Sequence, residues 1–197
     1  DWARAEQALA RAVKGPRVGT AGYLAAARAA QGRGATERRD QYLALADPGF
    51  GQRHFAIGLV RARMLISEGE TAASIKLLEQ LHLKRPRHEG VLKLLLQGYQ
   101  NCERWRDVRL LVPAIRKAGI VSAERAGELS SLAAARELEG ASDVPGLTTL
   151  HDSLKRSLKQ RPEVVAAFAA RALELDRPEL AEADLRRAIE ASFDDRL

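Results

Sequence analysis

The chain has 197 residues and a formal net charge of +6, and 46% of its residues are hydrophobic but only 5% aromatic. Its single cysteine, Cys102, excludes an internal disulfide framework, and no apolar stretch reaches the roughly 18 residues of a membrane-spanning helix. Gly and Pro fall almost wholly at predicted helix ends, and no sustained alternating run of β-branched residues occurs, so composition predicts an all-α chain.

The chain begins with a helix that has no hairpin partner before it. Asp1 is placed to cap this helix, and Trp2 and Leu9 have the spacing expected of the second helix of a hairpin. We therefore expect a partial repeat over residues 1–19, and a chain that is a fragment of a longer protein.

Three stretches of nearly equal length follow. Residues 55–88 and 89–122 can be aligned on each other at an offset of 34 residues, and each contains two amphipathic helices. Residues 20–54 fit the same pattern with one extra residue. A period of 34 is typical of tetratricopeptide repeats, in which each repeat is a helix hairpin that must stack on its neighbours.

The turns of these repeats are also aligned. Gly34 and Gly69 are 35 residues apart, and each ends a first helix, while Pro86 closes the second helix of its repeat. Glu103 stands where the third repeat should have its glycine, and Trp105 opens the helix after it. We interpret these residues as the turns and helix ends of successive helix hairpins.

The period lengthens after residue 122. Ser122 begins a long helix to about Glu139, and residues 142–145 begin another, which makes residues 123–161 an irregular repeat before the last one at 162–197. Such an insertion could lie beside a binding surface or be a harmless lengthening. The sequence thus predicts one domain over residues 1–197, a right-handed superhelical tetratricopeptide-repeat solenoid of about eleven antiparallel helices.

A concave groove is the predicted binding surface. In such a stack the first helix of each hairpin lines the groove, and the inward-facing positions hold Leu24, Arg28, Gln31, Leu59, Arg63, Ile66, Lys93, Gln97 and Gln100. This surface would be basic and polar over an apolar floor. We predict an acidic or amphipathic protein segment as its ligand, held partly by Arg28, Arg63 and Lys93, unless these cations are merely solvated.

Catalytic and metal-binding signatures do not occur. The chain has neither a Gly-x-Ser-x-Gly elbow nor a phosphate-binding loop, and no two of its four histidines share a helix face. Those histidines are His54, His82, His88 and His151. We expect no enzyme activity, metal or cofactor, and a buried free thiol at Cys102.

A nucleic-acid partner is not expected either. Basic residues are scattered among 26 acids, and only residues 84–88 form a basic run, which we interpret as a solvated turn rather than a nucleic-acid or lipid contact. A helical-repeat RNA reader would need a base-reading code at recurring positions, and none recurs.

Five motifs, in their order and spacing, resemble the HemY family of protohaem IX biogenesis proteins of proteobacteria. They are residues 1–6 (DWARAE), 23–31 (YLAAARAAQ), 85–94 (RPRHEGVLKL), Trp105 at the start of a helix, and 193–197 (FDDRL). The resemblance implies an inner-membrane protein anchored by helices upstream of Asp1, with this domain facing the cytoplasm and acting with late haem-pathway enzymes. The family offers no catalytic motif to carry over.

Three functions remain open at this stage. The favoured one is a non-catalytic scaffold that brings late haem-pathway enzymes together. The second is a carrier that binds porphyrin or haem directly. The third is a generic tetratricopeptide adaptor unrelated to haem.

Overall fold

The structure is a computed structural model that describes residues 2–12, 19–46 and 52–191. Asp1 and the motif at residues 193–197 lie outside this range, so the predicted cap and the last motif are not described. The chain divides into two compact halves, residues 1–98 and 99–197, called here the N-terminal and C-terminal halves.

The described residues of the N-terminal half are mostly helical. It contains α1 (Trp2–Ala12), α2 (Thr20–Gly32), α3 (Thr36–Ala46), α4 (Gln52–Ser67), α5 (Thr71–Lys84) and most of α6 (Glu89–Asn101). Pro86 follows the end of α5, as predicted, because proline cannot continue a helix. Consecutive helices α2 and α3, and α4 and α5, pack against each other as hairpins.

The C-terminal half is helical as well. It contains α7 (Trp105–Lys117), α8 (Ala123–Glu139), α9 (Val144–Ser153), α10 (Arg156–Lys159), α11 (Pro162–Glu174), a 3₁₀-helix (Pro178–Leu180) and α12 (Glu182–Ala191). The described residues thus form twelve α-helices and no strand, which confirms the all-α prediction. The expected count of about eleven was one low, because the single-turn α10 separates α9 from α11. The superhelical solenoid and the single domain stay predictions.

Four hairpin turns share one backbone geometry. Gly34, Gly69, Glu103 and Asp176 have positive φ angles of 73°, 84°, 53° and 55°. The next residue in each case donates its N–H to the carbonyl five residues earlier, a Schellman arrangement that satisfies the helix end. These bonds are Ala35 to Ala30 (2.9 Å), Glu70 to Leu65 (2.9 Å), Arg104 to Tyr99 (2.8 Å) and Arg177 to Ala172 (2.8 Å). Each turn lies at the same place in its predicted repeat, so the sequence period is also a structural one.

The irregular repeat departs from this turn. Gly140 ends α8 with a φ of −83°, and the chain enters α9 through Asp143, whose Oδ1 accepts the Gly146 N–H at 2.7 Å. Ser122 caps α8 by accepting the Arg125 N–H at 3.1 Å. The predicted long helix and the second helix start are therefore confirmed, and both begin with a side-chain cap.

Each half has its own apolar core. In the N-terminal half one cluster joins Ala27, Leu43, Ala46, Ile57 and Met64. In the C-terminal half a larger cluster includes Leu138, Leu147, Leu154, Val164 and Phe168. Burying one such large side chain stabilises the fold by about 1.5–3 kcal/mol. Packing between helices, more than helix propensity, therefore holds these hairpins together.

Cys102 corrects one expectation. It lies in the turn after α6 and is exposed, so the predicted buried thiol is wrong. The short turn between α6 and α7 keeps this residue outside the apolar contacts of both helices. Within the described ranges, no helix is both long and apolar enough to cross a bilayer.

Candidate functional site: the α2/α4 cleft

A cleft of about 490 Å³ lies between α2 and α4 in the N-terminal half. Its lining comes from two helix faces with helical spacing. The residues are Leu24, Ala25, Arg28 and Gln31 of α2, and Val60, Arg63, Met64 and Ser67 of α4. This α2/α4 cleft falls within the size range of ligand pockets, about 300–1,000 Å³.

The α2/α4 cleft has an apolar floor and a basic rim. Leu24 and Val60 are half-buried and Met64 is buried, which gives a floor of aliphatic and thioether groups. Arg28 and Arg63 are exposed at the rim, and neither makes an ion pair or a hydrogen bond within the described part of the chain. Two solvated guanidinium groups above an apolar surface suit a ligand that carries both carboxylates and apolar side chains.

One end of the cleft is held by a polar network. Gln31 Nε2 donates to Ser67 Oγ at 3.4 Å, and the buried Arg39 donates from Nη1 to Gln31 Oε1 at 3.0 Å. The same Nη1 also donates to Glu68, while Arg39 Nε donates to Asp40 at 2.9 Å. Burial acts to lower the pKa of Arg39, but the bonds to Glu68 and Asp40 outweigh it and raise that pKa. Arg39 thus stays charged and fixes the orientation of Gln31.

The structure brings together four of the nine predicted groove residues. Leu24, Arg28, Gln31 and Arg63 line the α2/α4 cleft, but Gln31 is occupied by the network around Arg39. The cleft also contains residues that the prediction missed. They are Ala25, Val60, Met64 and Ser67, of which the last three have the spacing i, i+4, i+7 of one helix face and could have been found from it.

The other five predicted residues lie outside this lining. They are Leu59, Ile66, Lys93, Gln97 and Gln100. Leu59 is half-buried, and its Cδ2 would lie 3.5 Å from a methyl group added at Gly90 of α6, so it faces the packing between these helices. Lys93 is exposed and pairs with Glu89 one turn earlier on α6, which neutralises part of its charge.

A second pocket, in the C-terminal half, was missed from sequence. This α9/α12 pocket has a volume of about 660 Å³ and is lined by residues of α9, α10, α11 and α12, with Leu180 of the 3₁₀-helix. His151, which appeared isolated in the sequence, is buried there. Its ring stacks on Phe168 with centroids 3.9 Å apart. Burial, and then the charge of Lys159, lower the pKa of His151.

These features define an all-helical protein built from helix hairpins that present ligand-sized clefts. Groups of three or more His, Cys, Asp or Glu side chains able to hold a metal ion do not occur among the residues that the structure describes.

The chain is related to HemY, which confirms the resemblance seen in its motifs. It is 27% identical over 200 aligned residues to Protein HemY of Escherichia coli strain K12, and equally so to Protein HemY of Shigella flexneri. The alignment covers 100% of this chain and 50% of each relative, so the chain spans about half the length of the curated relatives it matches. No protein-family profile and no solved structure matches the chain.

Proposed function

We propose that this chain is a non-catalytic interaction domain that binds an acidic, amphipathic segment of a partner protein in the α2/α4 cleft. The observation that carries the proposal is the pair Arg28 and Arg63, both exposed and without an ion pair in the described residues, over the floor of Leu24, Val60 and Met64. A helical segment with carboxylates beside leucines would match this surface in charge and in polarity.

The relationship to HemY supports placing the whole protein in haem biosynthesis. We propose that the partner is a late haem-pathway enzyme, and that the domain works on the cytoplasmic face of the bacterial inner membrane, held by a segment outside this chain. Stacked tetratricopeptide hairpins would be a suitable scaffold, because such stacks present long concave surfaces to extended ligands. The four equivalent Schellman turns support this architecture.

A peptide-binding measurement tests the cleft. Fluorescence anisotropy would follow labelled 15-residue helical peptides in which glutamates flank a leucine face, compared with peptides that carry glutamine instead. We expect saturable binding of the acidic peptides, weakened by added salt because the contacts are exposed charge pairs. The double variant Arg28→Glu/Arg63→Glu should lower the affinity at least about tenfold, the effect of losing two charge-assisted contacts.

A matched control separates the cleft from general charge. Arg61 lies on α4 and is exposed, but it does not line the α2/α4 cleft. Arg61→Glu should therefore change the affinity less than about twofold. Equal losses in Arg61→Glu and in the double variant would contradict the cleft. The proposed binding site would also be contradicted if ferrochelatase and its neighbouring enzymes bound the double variant as tightly as the unmodified chain.

A haem titration distinguishes this proposal from a tetrapyrrole carrier. Absorbance of haem and protoporphyrin would be followed during titration with the purified chain, with His88→Ala and Cys102→Ala alongside. The interaction-domain proposal predicts no saturable Soret shift at one equivalent. A shift that either substitution abolished would favour the carrier instead.

A further inference from the structure

We propose that the α9/α12 pocket is a binding site for a small carboxylate attached to a flat apolar ring. This site is separate from the α2/α4 cleft, and it does not depend on the function proposed for that cleft. The argument uses the shape of the pocket, the placement of its cations and its net charge.

The apolar part of the pocket can hold a ring. Val165 and Phe168 of α11 and Leu180 of the 3₁₀-helix supply large apolar groups, and Ala183 and Ala188 of α12 leave room for a ring because their side chains are small. A pocket of about 660 Å³ is large enough for a bicyclic ring, since ligand pockets typically measure about 300–1,000 Å³. Such a ligand would bury apolar area on binding, which is favourable.

His151 adds a polar group to this apolar lining. Its ring lies nearly parallel to Phe168, with an interplanar angle of 9°, and its Nε2 is 3.4 Å from Asp184 Oδ2. The stacked pair forms a rigid aromatic surface that faces the pocket. Burial favours the uncharged ring, so His151 can offer a hydrogen bond without adding positive charge.

Three cations line the pocket, and they differ in how they are paired. Arg187 donates to Asp184 at 2.6 Å, and Lys159 donates to Asp152 at 3.3 Å. Arg156 of α10 is exposed and makes no ion pair within the described ranges. A guanidinium group can bind a carboxylate through two parallel hydrogen bonds, so Arg156 is the group available to an incoming anion.

The charge balance favours a monoanion. Arg156, Lys159 and Arg187 carry three positive charges, and Asp152 and Asp184 carry two negative charges, which leaves the lining with +1 while His151 is neutral. One carboxylate matches this charge. A phosphate ester, with a charge near −2, would leave an excess negative charge beside two carboxylates, which is unfavourable at short range.

The test uses 2-naphthoate as the probe, followed by isothermal titration and by backbone amide NMR of the 197-residue chain. Its controls are the neutral 2-naphthamide and inorganic phosphate. We expect saturable binding of 2-naphthoate with amide shifts in α9 to α12. The neutral amide should bind at least about tenfold more weakly, because one charge-assisted contact is lost.

Two arginine variants complete the test. Arg156→Gln should weaken 2-naphthoate binding about tenfold and leave the fold unchanged, since Arg156 is exposed and has no ion pair among the described residues. Arg186→Gln is the matched control, because Arg186 lies on α12 but pairs with Glu182 and does not line the pocket. That control should leave the affinity within about twofold.

Four results would overturn the proposal. They are the absence of saturable binding, equal affinity for the amide and the acid, equal losses in Arg156→Gln and Arg186→Gln, and tighter binding of phosphate than of 2-naphthoate. The last result would assign the pocket to phosphorylated ligands instead of carboxylates. The Arg156→Gln variant and the amide shifts in α9 to α12 report on this pocket and not on the α2/α4 cleft, so these results are independent of the outcome of the peptide measurements.

Discussion

The α2/α4 cleft and the α9/α12 pocket use their charged groups in different ways. At the cleft, Arg28 and Arg63 stand free in solvent within the described chain. At the pocket, Lys159 and Arg187 are already paired, and among the described residues Arg156 is the lining cation without an ion pair. Unpaired cations on two neighbouring hairpins suit a long acidic segment, whereas a mostly neutralised lining suits one small anion.

The two halves also differ in how closely their helices approach at glycines. In the N-terminal half a methyl group added at Gly98 would come within 2.9 Å of Ile75 Cγ1. In the C-terminal half, a methyl group added at Gly127 of α8 would lie 3.9 Å from its nearest neighbour, Arg161 Nη2. This distance is an ordinary van der Waals contact. The N-terminal hairpins therefore depend on small residues at their contact, while α8 has room to spare at this position.

The largest expected effect concerns charges that hold helices together. In the C-terminal half, Arg109 of α7 donates from Nε and Nη2 to Glu137 of α8 at 2.6 and 3.0 Å, and the Glu137 side chain is only 7% exposed. The bond to Glu137 raises the pKa of Arg109 above its usual value. Glu137→Ala should lower the free energy of unfolding by about 3 kcal/mol, because a largely buried ion pair is broken and the partly buried Arg109 loses its partner.

The control for this prediction is a rim cation of the other half. Arg63→Ala should change the free energy of unfolding by less than about 0.5 kcal/mol, since Arg63 is exposed and unpaired in the described structure. Urea unfolding followed by circular dichroism measures both values. Similar losses of unfolding free energy in the two variants would contradict the distinction between charges that hold helices together and charges that are available to a ligand.

Paired glycine substitutions sharpen the packing comparison. Gly98→Ala should destabilise the chain by about 1–3 kcal/mol, because the added methyl group overlaps Ile75. Gly127→Ala should stabilise it by about 0.5–1 kcal/mol, because alanine loses less backbone entropy than glycine in a helix interior. Thermal unfolding of both variants shows whether each substitution lowers or raises the stability. A stabilising Gly98→Ala would show that α5 and α6 can separate without cost.

The repeated turn predicts two further substitutions with opposite effects on stability. Glu103 adopts a φ of 53° where its equivalents are Gly34 and Gly69. Glu103→Gly should therefore stabilise the chain by about 1 kcal/mol, and Gly69→Ala should destabilise it by a similar amount, since a side chain is strained in the left-handed region. Denaturant midpoints measure both changes. A destabilising Glu103→Gly would mean that the glutamate side chain contributes more than its backbone strain costs.

The smallest effect is expected at His151 and depends on pH. Because burial lowers the pKa of His151 in the folded state, the unfolded chain binds this proton first as the pH falls below about 6.5. The folded state therefore loses stability between that pH and the lower folded-state pKa, and His151→Gln should reduce this loss. Unfolding free energies at pH 7.5, 6.5 and 5.5 measure it. An unchanged or steeper pH dependence in the variant would argue against a neutral buried ring.

Periodicity in the sequence located most of the helices and half of one site. The pattern predicted the hairpins, the helix starts at Ser122 and at residues 142–145, and the approach of Leu24, Arg28 and Arg63, because equivalent positions of a regular repeat face the same way. It did not predict the exposure of Cys102, since a helix end can face either water or a neighbour.

The sequence by itself determined the all-α class, the 34-residue period and the relationship to HemY, because apolar spacing, turn residues and motif order are local properties of the chain. Tertiary structure alone decided which charges are free. Glu137 and Arg109 are 28 residues apart, and His151 lies 33 residues from Asp184, so no local pattern connects them. The α9/α12 pocket arises where the irregular repeat brings α9 and α10 beside α12, so that cations from both repeats line one pocket.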